Sequence, residues 1–161
     1  RIYAEITGWS LTTEAHHMTT PRPDGAPLRA AIQIALDAAR LRPDQISYVN
    51  VHGSSTQAND VHECIQLARV FGDCIRRTPI SGTKACTGHT LGAAGAIEAA
   101  ICLLSMENNW LPPTLHLTDP DPALKGFDLV PLHGREARLD HMLSHSFGFG
   151  GIDSCLVLSR V

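Results

Sequence analysis

The sequence predicts an α/β domain in which a mixed, mostly parallel sheet carries helices on both faces and closes on a C-terminal antiparallel hairpin. Strand-like and helix-like runs alternate along most of the chain. Residues 46–51 (ISYVNV) are apolar at most positions, as in a strand buried on both faces of a parallel sheet. The last two strand-like runs are joined across Gly148, Gly150 and Gly151, a connection short enough for a hairpin. With 161 residues, 43% of them apolar and 18% charged, the chain has the length of one ordinary domain and the composition of a folded one.

Each element has its own signal. Residues 2–11 are rich in β-branched and aromatic side chains without proline and read as a strand or a pair of short strands. Three prolines and a glycine make residues 16–27 a loop. Apolar residues at 28, 31, 32, 35, 36 and 39 then mark a helix with one buried stripe, stopped by Pro43. After strand 46–51 comes the polar turn His52-Gly53-Ser54-Ser55-Thr56, followed by a helix over 59–71. Asp60 and Glu63 resemble a capping box, and Gly72 supplies a left-handed stop. A short strand over 79–84 leads into Gly88, His89, Gly92 and Gly95. The helix over 93–107 is apolar nearly all round, which predicts an interior position. A proline-rich connector (111–122) and a short segment (127–132) precede the final strands, 141–147 and 154–160.

Composition excludes several roles. Thirteen basic against sixteen acidic residues, net −3, leave no surplus to attract nucleic acid or anionic lipid. Five cysteines, an odd and widely spaced set without a C-x-x-C, argue against a disulfide framework or zinc ribbon and fit a reducing cytoplasm. The apolar run 97–106, interrupted by Glu98, falls short of the ~20 residues of a membrane span. His16-His17 and His62-Glu63-Cys64 lack the i, i+4 spacing of helical metal ligands, so no metal site is expected. The chain opens on Arg1 with no signal-peptide succession, which suggests a piece of a longer polypeptide.

Ligands of open α/β sheets gather at the carboxyl ends of strands, where His52 stands, with His89 in the next equivalent loop. Two histidines in successive strand-to-helix connections, each flanked by glycine and hydroxyl residues, point to chemistry rather than packing. Glycines 88, 92 and 95 allow either close ligand approach or tight helix packing. The loop Ser146-Phe147-Gly148-Phe149-Gly150-Gly151 is either a hairpin turn or a set of backbone donors. Glu98 is an acid in an apolar helix and requires a partner if buried.

Three blocks, Val49–Thr56 with Asn59-Asp60 and Glu63, Gly82–Glu98, and Ser146–Gly151, together resemble the C-terminal signatures of the β-ketoacyl-acyl carrier protein synthases, the elongating condensing enzymes of fatty acid and polyketide synthesis. The resemblance covers effectively the whole chain as one domain, residues 1–161. It implies one half of a thiolase-like fold, with the N-terminal half and its nucleophilic cysteine absent from this chain. Cys86, close to His89, does not match the nucleophile. No cysteine stands in the loop 147–151, which separates the sequence from thiolases.

The resemblance implies decarboxylative Claisen condensation of an acyl thioester with malonyl carrier protein. It assigns His52 and His89 as catalytic imidazoles and Lys84 as the active-site lysine, a cation that would keep an adjacent His89 neutral. Glu98 and Asp60 match an active-site network; their alternatives are a surface-paired helix acid and a simple helix cap. Thr19, Ser54 and Thr56 match hydroxyls that contact the phosphopantetheine arm, or else bond local backbone. Phe147 with Gly148 matches the gate and the oxyanion hole of the acyl-enzyme, or packs in the core. The implied substrates ride on the phosphopantetheine of acyl carrier protein, with no covalently bound cofactor, and the implied partners are that carrier, the missing half and a second copy in a homodimer. Departures are Ser54 for the common Thr, His145 for Asn, and Gly-Ile-Asp-Ser over 151–154 where Asn or Thr often stands. The alternative reading is a non-catalytic condensing-enzyme-like subunit that binds carrier protein or a partner chain; His52, Lys84 and His89 together favour an active parent.

Overall fold

The computed structural model describes residues 1–161. In chain order the elements are β1 (Glu5–Thr13), α1 (Ala26–Ala39), β2 (Tyr48–Asn50), α2 (Asp60–Phe71), β3 (Ile80–Ser81), α3 (Lys84–Thr87), α4 (Ala94–Asn108), β4 (Trp110–Leu111), β5 (Arg135–Glu136), β6 (His141–Gly148) and β7 (Ile152–Ser159). Five strands form one sheet in the order β1-β7-β6-β2-β3, and β4 pairs with β5 separately. Strand β2 runs parallel to both β6 and β3, while β7 is antiparallel to both β6 and β1. The sheet is therefore evenly mixed rather than mostly parallel, because the N-terminal strand docks on the outer edge of the final hairpin. The segment 127–132 forms no strand; it is tied by the Ile80 N–H to the Asp128 carbonyl and by a single bridge between Thr114 and Pro131.

Alternation along the strands sorts the core into two layers. Val49, Leu143 and Val157 face α1 and α2, where they pack with Leu28, Ile32, Leu36, Leu67 and Phe71. Their neighbours Tyr48, Met142 and Leu158 face the other way and pack with Cys102, Met106, Leu111 and Leu139. The periodic residues expected of α1 are its buried ones, from Leu28 to Leu36. The helix lies so close to β1 that a side chain at Gly8 would collide with the Ala35 carbonyl; Ser10 Oγ donates to the Ala31 carbonyl at 2.7 Å and seals the same contact.

Helix α4 departs from its expected interior position. Only the stripe Ala94, Glu98, Cys102, Ser105 and Met106 is buried. Leu104 on its far side is 56% exposed, and the sheet face beside it leaves Trp9 66% and Leu11 62% exposed. An α4 apolar all round thus has one face unused within this chain. The stretch Leu91–Asn108, with a mean hydropathy of 1.2, is long and apolar enough to cross a membrane by length and composition alone, although Glu98 within it forms an ion pair with Lys84.

Candidate active site

The parallel strands β2 and β3 end side by side, and the connections that follow them carry the chemistry. A buried polar network braces them: Tyr48 Oη meets Ser81 Oγ at 2.7 Å, and Asn50 Nδ2 donates to Tyr48 Oη at 3.2 Å and Thr83 Oγ1 at 3.1 Å. His52 lies two residues past β2. Its backbone N–H donates to Glu63 Oε1 at 2.7 Å, and the Gly53 N–H donates to Glu63 Oε2 at 3.1 Å. Gly53 turns at φ 50°, a left-handed conformation suited to glycine. From the hairpin, the Phe147 N–H donates to His52 Nδ1 at 3.2 Å, and the two rings lie 4.9 Å apart.

His89 follows the short α3. The Leu91 N–H donates to its Nδ1 at 3.1 Å, and its ring stands edge-on to His52 with centroids 5.4 Å apart. Each imidazole accepts at Nδ1, which leaves the proton on Nε2 of both rings. His52 is held to its neutral form down to about pH 4, chiefly by burial; Glu63 opposes this shift and Lys84 reinforces it. Both rings border one cavity of about 410 Å³ that also contains Thr19, Ser54, Thr56 and Phe147. The hydroxyls of Ser54 and Thr56 lie 3.3 Å apart.

Other expected residues take different stations. Lys84 opens α3, and its Nζ bonds the His52 carbonyl and the Glu98 carboxylate in a buried pair. Its charge bears on His52, where it adds to the lowering by burial. Glu98 has the partner its burial demands, yet burial still pushes its carboxyl up more than Lys84 draws it down. Asp60 makes no cap bond: Asn59 precedes the helix, and Asp60 Oδ1 instead accepts the Ser55 N–H at 3.1 Å and Asn59 Nδ2 at 3.2 Å, which ties down the turn after His52. Glu63 likewise forms no capping box, because its carboxylate points at the His52 turn. The Phe147 N–H, which the family resemblance assigns to an acyl oxygen, is engaged by His52, and Gly148 closes β6 opposite Ile152. Phe149, 76% exposed, stands on the rim of the same cavity.

Two residues in the site escaped the sequence-based assignments. Glu63, buried on α2 in register with Leu67 and Phe71, grips the turn; an acid on an apolar stripe is the signal that reveals it. His145 Nδ1 meets Glu63 Oε1 at 3.1 Å, with both side chains buried. Strand alternation with Leu143 and Phe147 points it inward.

The cysteines are poorly placed for nucleophilic work. Cys64, Cys102 and Cys155 are buried, and burial pushes the Cys102 thiol up to about 12 and those of Cys64 and Cys155 upward as well. Cys86 is exposed but borders neither the histidine cavity nor the neighbouring one of about 860 Å³ that Lys84 and Asp60 line.

Paired strand-end imidazoles beside a buried lysine–glutamate pair, on a five-stranded mixed sheet, define a half-domain of the thiolase-like condensing-enzyme class. The family model described as the β-ketoacyl synthase C-terminal domain matches residues 3–118. The chain is 42% identical to the 3-oxoacyl-[acyl-carrier-protein] synthase 2 of Coxiella burnetii over 99% of its own length and 38% of that protein. It is 43% identical to the tetracenomycin polyketide synthase ketoacyl synthase alpha subunit of Streptomyces glaucescens, over 98% of this chain and 37% of that one. A chain of a solved complex of a type II PKS acyl-carrier protein with its ketosynthase superposes with a TM-score of 0.95 at 36% identity, covering all of this chain and 39% of that one. The chain belongs to the β-ketoacyl synthase family and spans little more than a third of the length of the relatives it matches.

Proposed function

We propose that residues 1–161 are the C-terminal half of a β-ketoacyl-acyl carrier protein synthase and supply the decarboxylating side of its active site. The observation that carries this reading is the pair of imidazoles bordering one cavity, each with Nδ1 occupied by a backbone N–H and so with Nε2–H free to donate. When a malonyl thioester loses carbon dioxide, the electron pair of the breaking carbon–carbon bond flows onto the thioester oxygen. Two N–H donors aimed at that oxygen stabilise the enolate as it forms, and fixed donors need no reorganisation. The enolate carbon then attacks the acyl thioester held on a cysteine of the other half, and the cysteine sulfur leaves as thiolate. Thr19, Ser54 and Thr56 would bond the phosphopantetheine arm of the carrier protein along the cavity. Phe149, rather than Phe147, would act as the gate.

The exposed strip of Leu104, Trp9 and Leu11 would lie against the missing half, and the parent would act as a homodimer. Five unpaired thiols fit a cytoplasmic setting.

The test uses the full-length parent protein. His52→Ala or His89→Ala is expected to lower carbon dioxide release from malonyl carrier protein about 10²- to 10³-fold, the usual cost of a lost oxyanion donor, while acylation of the nucleophile stays measurable. Undiminished release from both variants would contradict the assignment and favour a non-catalytic subunit.

A further inference from the structure

We infer that His145 is a positioning residue that holds His52 in place by bearing on both of its anchors at once. His145 sits on β6, fully buried, 82 residues from the α2 carboxylate it bonds. The first anchor is Glu63: the oxygen that meets His145 Nδ1 at 3.1 Å also accepts the His52 backbone N–H at 2.7 Å. The second is Phe147, whose ring stacks on His145 with centroids 6.3 Å apart and whose N–H fixes the tautomer of His52. The inference rests on the proposed role of His52 for its catalytic consequence, but not for its geometry.

The electrostatics give His145 a definite task. Besides His145, Glu63 is faced by His52 from the end of β2, by Asp153 and Cys155 from β7, by Glu98 from α4 and by Asp60, His62 and Cys64 on its own helix. Burial disfavours its charge, and that charge in turn pushes up its acidic and thiol neighbours. The hydrogen bond with His145 is the main opposing influence, and the carboxyl ends below its ordinary range. Without His145, burial would push Glu63 toward protonation. A protonated carboxyl is a weaker acceptor for the two N–H groups that shape the His52 turn.

The experiment compares His145→Ala and His145→Gln in the full-length protein, with His52→Ala as reference. In one arm, carbon dioxide release from malonyl carrier protein is followed against pH; in the other, the ¹⁵N resonances of the His52 ring and the Gly53 amide are recorded. His145→Ala is expected to slow decarboxylation about ten- to a hundredfold, the cost of a small misplacement of a reacting group. Its acid limb should move to higher pH, with altered His52 and Gly53 resonances. His145→Gln, which keeps an N–H donor for Glu63, should recover most of the rate, the limb and the resonances. A folded His145→Ala protein with unchanged rate, pH profile and resonances would overturn the inference, as would His145→Gln behaving no better than the alanine variant. If His145→Ala moves the His52 resonances but His52→Ala leaves decarboxylation intact, the positioning stands and the catalytic reading of His52 falls.

Discussion

On the side of the sheet covered by α1 and α2, fifteen buried apolar residues close into one cluster; on the side covered by α4 the apolar cluster has eight. The second side also holds the Tyr48–Asn50–Ser81–Thr83 network and the Lys84–Glu98 pair, and it leaves Trp9, Leu11 and Leu104 in water. The first face is a finished core that fixes where the strands end. The second combines buried polar groups, which are costly unless fully paired, with apolar surface that nothing in this chain covers. A face of that kind is suited to being completed by another segment, and it lies behind the same strand ends that carry the histidines.

The contrast can be sharpened by substitution. Lys84→Ala should cost about 3–5 kcal/mol in urea unfolding, because it strands the Glu98 carboxylate in the interior, whereas the double variant Lys84→Met/Glu98→Leu should recover much of that loss. On the finished face, Leu67→Ala should cost about 2–5 kcal/mol by leaving a cavity in a closed core. Acidification tests the site itself. The folded value of His52 lies near pH 4, below its ordinary 6.5. The folded state therefore binds fewer protons than the unfolded one between these values, and stability that is complete above pH 6.5 is lost as pH falls to 4. The loss attributable to His52 should be about 3 kcal/mol, visible as a pH dependence that His52→Gln removes. The smallest effect is expected at Leu104→Ala: within about 0.5 kcal/mol in this chain, as for an exposed position, but about 2–4 kcal/mol in the full-length protein if a partner segment covers it. Equal costs in both settings would break the comparison.

Much of this was legible in the sequence, for local reasons. The stripe of α1, the continuous apolar run at β2 and the glycine turn between β6 and β7 are each set by side chains within a few residues of one another, so period and turn chemistry reveal them. Strand-end placement brought His52 and His89 forward for the same reason. The failures are non-local. Glu63 follows Asp60 by three residues, as a cap partner would, and only the fold aims it back at the His52 turn. His145 meets Glu63 across the sheet, and Lys84 reaches the His52 carbonyl and Glu98 from an element 32 residues beyond His52 and 14 before Glu98. The parallel share of the sheet was overstated because nothing local announces that β1 will dock on β7. Helix α4 reads as interior because its apolar character suits a covered position, and within these residues one side of it has no cover.

The most direct test of the split between imidazoles here and a nucleophile elsewhere is the intact mass of the 161-residue chain after incubation with an acyl thioester. An unmodified mass is the expected result, since three of its thiols are buried and neither Cys74 nor Cys86 borders the histidine cavity. A stable acyl adduct, mapped for instance to Cys86, would contradict it and make the chain an acyl acceptor in its own right.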